Sequence, residues 1–308
     1  MSRKQWLVVL AFSITYFVWG STYLANYWAI DSLPPFGMCG VRFLTAGTLL
    51  YALSYLMGDN RDRPTPRQWA NAGLLGFMFL TVGVGAVVWA QQWVPTSMAA
   101  LLISFQPLLV MFILWGLFGE RPAGRAFLGA GISIVGMALL IGQPELVAGP
   151  AQVRALLAVL LGLSTWGLGM TLTPRLDLGR SHVRSTAMQM LAGGALCVVV
   201  SFLFGEWSGW SPAQLSLRTV LALSYLVVFG AVLAFTAFNF LMKTVSPEKA
   251  ATSTYVNPVV AMLLGALLNE EVVSRQSMLA GAILITGVYF INSARGAARP
   301  AQVSGESA

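Results

Sequence analysis

Two prolines, each preceded by a side-chain amide, lie within apolar stretches where both residue types are costly. Pro107 follows Gln106 in SFQPLLVMFILWGLFGER, and Pro258 follows Asn257 in NPVVAMLLGALLNEE. Because proline has no N–H, a backbone carbonyl one turn earlier loses its helical partner, and the amides add further polar atoms. We interpret the two sites as bent helices that border a cavity for a partly polar solute. The alternative is a kink whose free carbonyl is satisfied by a neighbouring helix.

Aromatic and amide side chains also recur at helical spacing. Tyr16, Trp19, Tyr23 and Asn26 are three or four residues apart, which places them on one helix face. Two further stripes follow the same spacing: Thr81, Gly85, Trp89 and Gln92, and Phe235 with Asn239. Aromatic faces combined with amides suit a flat, partly apolar solute with a polar head. For any single tryptophan, packing or a place in an interfacial belt is the alternative.

The elements that carry these residues are predicted to span a bilayer. The 308 residues are 57% hydrophobic and only 9% charged, and their mean hydropathy is +0.74. A span needs about 20 mostly apolar residues, and the sequence holds ten such stretches. They are Trp6 to Ile30, Pro35 to Leu56, Trp69 to Gln92, Ser97 to Phe118, Ala123 to Ile141, Val153 to Thr173, Val183 to Phe204, Leu217 to Leu241, Lys249 to Leu268 and Gln276 to Ala294.

Charged residues indicate how the spans are oriented. When the connections are assigned alternately to two sides, fourteen of the 18 Lys and Arg residues fall on the side of the two termini. The positive-inside rule then places both termini in the cytoplasm, which requires an even number of spans. The net charge of +7 is therefore explained by membrane topology, and we expect no nucleic-acid partner.

One charge is an exception, because Arg42 lies inside the second span, about 10 Å from its start. A charge at that depth is costly and usually marks function. Arg42 either meets the carboxylate of a solute or caps free carbonyls between helices, and the sequence leaves both open. Glu120 and Glu271 lie at span ends, where we expect a structural role with a loop arginine or a neighbouring helix N-terminus.

The chain contains an internal repeat. A shift of 147 residues places Trp19 on Trp166 and Gly83 on Gly230, and a shift of 151 places Pro107 on Pro258 and Glu120 on Glu271. Each half holds five predicted spans, and because five is odd, the second half enters the membrane in the opposite direction. The fold prediction is an all-α integral membrane protein of ten transmembrane helices, arranged as two inverted-topology five-helix repeats. Residues 1–149 form the first repeat, residues 150–297 the second, and residues 298–308 a disordered cytoplasmic tail.

Five stretches give a specific resemblance: WGS, GVRF, PLLVMFILWGLFGER, NPVVAMLLGALLNEE and AMQMLAGG. Together they resemble the EamA-type branch of the drug/metabolite transporter superfamily. The resemblance implies ten helices in two inverted halves and an inner-membrane exporter of small metabolites, including amino acids and notably aromatic ones. The second copy departs from the first at Asn269 and at the doubled acid Glu270-Glu271.

These observations lead to one set of functional predictions. The protein is expected to export a small solute by alternating access, as a monomer or weak dimer in contact with lipid and without cofactor, metal or enzymatic activity. No acidic residue lies in the middle of a predicted span, and no sequence motif indicates ATP hydrolysis. The alternatives are a drug or quaternary-ammonium exporter and a non-transporting scaffold or sensor. The predicted substrate-binding residues are Trp19, Tyr23, Asn26, Arg42, Phe79, Trp89, Gln92, Ser104, Gln106, Trp166, Gln189, Phe235, Asn239, Tyr255 and Asn257. The predicted hinges are Gly83, Pro107, Gly230 and Pro258.

Overall fold

The computed structural model describes residues 3–56, 63–245, 250 and 253–296. This part of the chain is helical and contains no β-strand. Its long helices are α1 (Arg3–Ala29), α2 (Pro35–Leu56), α3 (Pro66–Ala90), α4 (Thr96–Phe118), α5 (Gly124–Ile141), α6 (Pro150–Arg175), α7 (His182–Leu203), α8 (Leu217–Thr244), α9 (Ser253–Leu268) and α10 (Arg275–Gly296). The predicted tail, residues 298–308, lies outside the described residues.

Eight helices of the described part, α1 to α8, are long and apolar enough to cross a membrane. They correspond to the first eight predicted spans. In α9 and α10 the residues with described side chains cover only the shorter apolar stretches Val256–Leu268 and Arg275–Ile291, so their crossing of the membrane stays a prediction. Large apolar side chains such as Phe202, Leu217 and Leu267 are exposed on the outer surface of the bundle, as expected for a protein surrounded by lipid.

Helix ends follow local sequence signals. Thr65 caps α3 through a capping box with Gln68, and Pro66 occupies the first helical position. The side chains of Ser181 and Ser216 accept the N–H groups of Arg184 and Thr219 at the starts of α7 and α8. These caps fix where the helices begin and therefore which depth each side chain reaches.

Helices that the repeat makes equivalent pack against each other. In the α2–α7 pair, a Cβ on Gly47 would lie 3.0 Å from Leu191 Cγ, and a Cβ on Gly194 would lie 2.9 Å from the Leu44 nitrogen. A shift of 147 residues makes Gly47 equivalent to Gly194 and Leu44 equivalent to Leu191. The Gly47–Leu191 and Gly194–Leu44 contacts are therefore reciprocal, as in an interface with twofold symmetry. In the α5–α10 pair, Gly136 approaches Leu284 equally closely, with 2.8 Å from its added Cβ to the Leu284 nitrogen. Small residues thus allow both pairs to pack closely.

Helices α3 and α8 each contain a π-helical stretch, at Phe77–Val84 and Leu226–Leu233. The shift of 147 brings the two stretches within two residues of each other. Gly83 and Gly230, two of the predicted hinges, lie inside them. A π turn bonds residue i to i+5, so it contains more residues than an α turn and rotates the helix face that follows it.

The two prolines behave differently. Helix α4 is interrupted between Ile103 and Gln106, just before Pro107, where the sequence predicts a bend. The Ser104 N–H bonds the Leu101 carbonyl at 3.0 Å in the tighter turn. Helix α9 continues through Pro258 without an interruption. The break in α4 places Gln106 at the start of a new helical segment, aimed towards the bundle centre.

Candidate functional site

A cavity lies at the centre of the bundle, and we call it the central cavity. Helices α1, α2, α3, α4, α6, α8 and α9 contribute to its wall, and the space open to the centre of a water molecule inside it is about 110 Å³. That is far more than the roughly 10–15 Å³ a single water needs. The predicted residues on its wall are Trp19, Tyr23, Asn26, Arg42, Gly83, Gln106, Trp166, Gly230, Phe235 and Asn257.

One side of the central cavity is aromatic. Trp19 and Trp166 meet edge to face, with ring centroids 5.6 Å apart. Phe238 lies against both rings, 5.0 Å from Trp19 and 5.4 Å from Trp166. Phe79 and Phe235 complete the group, which we call the aromatic cluster: Trp19, Phe79, Trp166, Phe235 and Phe238. The predicted residue Phe79 is fully buried behind the other four rings and does not line the cavity itself. Such a surface suits the apolar body of a flat solute.

The other side of the central cavity is polar and carries Arg42. The side chain is buried, and its Nη1 donates to the Asn26 Oδ1 at 3.1 Å. A Cβ on Gly230 would lie 2.7 Å from Arg42 Nη2, so the glycine in the π stretch of α8 leaves room for the guanidinium. Both ion pairs found in the described residues, Arg175–Glu120 and Arg218–Asp31, are at the surface and do not involve Arg42.

Gln106 and Asn257, which the shift of 151 makes equivalent, both reach the central cavity. Gln106 is buried, and its Nε2 has no hydrogen-bond partner within the described part of the chain. A Cβ on Gly167 would lie 2.8 Å from this atom, so Gly167 leaves space for the amide. The two amides therefore border the same space from opposite halves of the repeat.

Other predicted residues are buried nearby but do not form the wall. Ser104 Oγ donates to the Ala100 carbonyl at 3.4 Å within α4. Gln189 Nε2 donates to Asn239 Oδ1 at 3.2 Å, which joins α7 to α8. The side chain of Tyr255 lies outside the described part of the structure.

Trp89 and Gln92 line a second cavity, together with Asp31, Glu206 and Trp210. The π stretch of α3 precedes them and rotates the helix, so the predicted stripe through Thr81 and Gly85 does not continue on one face. Gln91, one residue earlier than the predicted Gln92, points inward instead and donates to the Tyr23 carbonyl at 2.9 Å.

Sequence reasoning also missed Phe238, which lines the central cavity, and Glu206, which caps the start of α2. Phe238 lies three residues after Phe235, and this helical spacing was a usable signal. Glu206 accepts the N–H groups of Phe36 and Gly37 at the start of α2, at 3.3 and 3.1 Å. Nothing in the sequence links Glu206 to a helix start about 170 residues earlier.

Glu120 and Glu271 take the structural roles expected of them. Glu271 accepts the N–H groups of Thr96 and Ser97 at the start of α4, at 3.2 and 3.1 Å. Glu120 pairs with Arg175 at 2.8 Å. Neither carboxylate lies on the wall of the central cavity.

Comparison with known proteins identifies the family. The chain matches the EamA-like transporter family over residues 6–142 and again over residues 153–293. It is 35% identical over 277 residues to YedA, an uncharacterized inner membrane transporter of Escherichia coli K12, in an alignment covering 90% of this chain and 87% of YedA. PecM of Dickeya dadantii is 27% identical over 279 residues, again covering 90% of this chain and 87% of the relative.

A crystal structure of a protein with 21% sequence identity has the same fold, with a TM-score of 0.67 over 97% of this chain and 100% of the other. Together with the apolar helices and the two matched stretches, these comparisons show that the chain belongs to the EamA-like transporter family of the drug/metabolite transporter superfamily and is a membrane transporter.

Proposed function

We propose that this transporter exports small metabolites, including aromatic amino acids, across the inner membrane by alternating access around the central cavity. The observation that carries the proposal is that the two halves contribute equivalent residues to one cavity. Trp19 and Trp166 form one equivalent pair, and Gln106 and Asn257 form another. Aromatic and amide groups lining the same cavity match a solute with an apolar body and a polar head.

The mechanism rests on the predicted inverted repeat. If the second half is embedded upside down, any packing that opens the cavity to one side has a counterpart that opens it to the other. The reciprocal contacts of Gly47 with Leu191 and of Gly194 with Leu44 support such a relation. Both termini would then lie in the cytoplasm, and one chain, as a monomer or weak dimer, would contain a complete site.

A drug or quaternary-ammonium exporter is the less favoured alternative. Recognition of a cation needs a carboxylate or an open aromatic cage. Among the described residues the wall of the central cavity has no carboxylate, and its charged side chain, Arg42, repels a cation. The rings of Trp19, Trp166 and Phe238 pack against one another and do not form an open cage.

Purified protein in liposomes would test the function. Vesicles preloaded with an unlabelled aromatic amino acid should accumulate the labelled compound by counterflow faster than protein-free vesicles. A panel of aliphatic, polar and aromatic metabolites would define the range. Counterflow at the protein-free rate across the whole panel would contradict the proposal and favour a scaffold or sensor.

A further inference from the structure

The electrostatics of the central cavity are one-sided. Of the described residues on its wall, Arg42 alone is charged, and the remaining polar side chains are neutral amides, hydroxyls and the tryptophan indoles. The aromatic cluster on the other side supplies no formal charge. A solute in the cavity therefore meets one fixed positive charge and no fixed negative charge.

The hydrogen-bonding capacity of Arg42 is only partly used. Its side chain is 4% exposed, and a guanidinium has five N–H donors. Nη1 donates to Asn26, whereas Nε has no hydrogen-bond partner in the described part. Asn26 is neutral and cannot compensate the charge. Because a buried cation without a counter-charge is costly, an anion that reaches the guanidinium gains both charge pairing and hydrogen bonds.

A second unused donor lies on the same wall. Gln106 is 2% exposed, and its Nε2 has no acceptor within the described residues. Both residues line the cavity and each holds an unused N–H donor, which is the pattern of a site built for an acceptor. The equivalent of Arg42 in the other half is Gln189, whose Nε2 is already bonded to Asn239 and Ser185. The anion-binding character is thus confined to one half.

We infer that Arg42, with Gln106 as a second donor, forms a carboxylate-binding subsite of the central cavity, so that the solute is selected by its acidic group and not by its amine. This inference rests on the proposed function, because it assumes that the solute occupies the central cavity. A carboxylate matches the planar guanidinium fork, and the aromatic cluster receives the apolar body of the same solute. An ammonium group finds no carboxylate on the wall of the described part.

Three probes with the same phenyl ring separate these alternatives: 3-phenylpropionate carries only the acid, phenylalanine carries acid and amine, and phenethylamine carries only the amine. Binding of each to the full-length protein in detergent is measured by calorimetry at neutral pH. We expect 3-phenylpropionate to bind at least as tightly as phenylalanine, and phenethylamine at least about tenfold more weakly than either. Inorganic phosphate serves as an additional competitor, to distinguish recognition of a carboxylate from a general anion effect.

Variants connect the selectivity to Arg42. Arg42→Gln gives position 42 the residue type of its equivalent in the second half, Gln189. It should abolish the preference for 3-phenylpropionate over phenethylamine. Arg175→Gln, which removes a surface guanidinium that does not line the cavity, should leave the preference unchanged. Arg42→Lys keeps the charge without the planar fork and should retain a weaker preference. It also preserves the test if Arg42→Gln does not fold.

Several results would overturn the inference: equal binding of phenethylamine and 3-phenylpropionate, no binding of any of the three probes, competition by phosphate as strong as by the carboxylate, or an unchanged preference in folded Arg42→Gln. Binding in detergent does not depend on transport. Selective carboxylate binding without counterflow in liposomes would therefore contradict the proposed function alone, and counterflow without selectivity would contradict the subsite alone.

Discussion

Trp19 and Trp166, which are 147 residues apart, touch each other edge to face with ring centroids 5.6 Å apart and planes at 81°. They occupy the same position in the two halves of the repeat, so this contact joins equivalent residues at the wall of the central cavity. Phe238 lies against both rings and holds them in place. The aromatic side of the cavity is therefore built jointly by both halves.

Removing either indole should impair transport more than folding. Trp19→Ala or Trp166→Ala takes away an aromatic contact of on the order of 1.5 kcal/mol, so we expect counterflow to fall by about tenfold or more. Counterflow rates and elution on size-exclusion chromatography are measured for each variant. Trp115→Ala is the matched control, because Trp115 is exposed and stacks on Phe112 outside the cavity wall. Wild-type rates in both cavity variants would exclude these residues from the solute path.

The glycines in the π stretches should tolerate a methyl group poorly, each for its own reason. A Cβ on Gly83 would lie 2.9 Å from Trp166 Cε3 and 2.8 Å from the Met78 carbonyl, and a Cβ on Gly230 would displace Arg42. We expect Gly83→Ala to destabilise the protein by about 1–3 kcal/mol through overpacking. Gly230→Ala should mainly weaken solute binding, since the end of an arginine side chain moves more easily than an indole.

Thermal unfolding and solute binding distinguish these two effects. Gly116→Ala, in a helix position where a Cβ meets nothing within 4 Å, is the control and should be neutral or slightly stabilising. If Gly116→Ala lowered stability or solute binding as much as Gly83→Ala and Gly230→Ala do, glycine flexibility and not local space would govern these effects.

Two carboxylates should stabilise the fold by holding helix starts. Glu271→Gln removes the charge that accepts two N–H groups at the start of α4, and Glu206→Gln does the same at α2. Each change should cost about 0.3–2 kcal/mol and lower the Tm, because a carboxylate is favoured at the positive end of the helix dipole. Glu120→Gln breaks an exposed ion pair and should cost no more than about 1 kcal/mol. The Tm of each variant is measured by thermal unfolding, and we expect the Tm of Glu120→Gln to be nearest to that of the wild type.

The sequence predicts those features that depend on residue type and regular spacing. The eight long spans follow from apolar length, the distortion of α4 follows from Pro107, and the equivalence of Trp19 and Trp166 follows from the register of the repeat. Their direct contact was not predicted. Trp89 and Gln92, which the prediction placed at the central site, lie after the π stretch of α3 in the sequence. A π turn leaves no mark in apolar periodicity, so the prediction selected Gln92 for the interior, where the structure has Gln91.

Contacts between distant segments were a second limit. The capping of α2 by Glu206 depends on how the connection after α7 folds back over the bundle, which no local pattern encodes. The same holds for the space that Gly230 gives to Arg42, because that contact exists only once α2 and α8 have packed.

The proposed inversion of the two halves can be tested, because it places equivalent loop positions on opposite sides of the membrane. Arg121 follows α4 and Val272 follows α9, and the shift of 151 makes them equivalent. Both are exposed, so a cysteine at either position is accessible to a reagent on its own side. The native Cys39 and Cys197 are buried and contribute little background. We expect a membrane-impermeant thiol reagent to label Val272→Cys in intact cells but to label Arg121→Cys only after the membrane is permeabilised.

The sides follow from the charge pattern, since Arg121 and Arg125 belong to the Lys- and Arg-rich set that the positive-inside rule assigns to the cytoplasm. Reporter fusions at both termini provide an independent measurement and should both give a cytoplasmic signal. Labelling of both cysteines from outside, or of neither, would mean that the two halves are not inverted. Alternating access by exchange of equivalent packings would then lose its structural basis, because two halves in the same orientation would open the central cavity towards the same side.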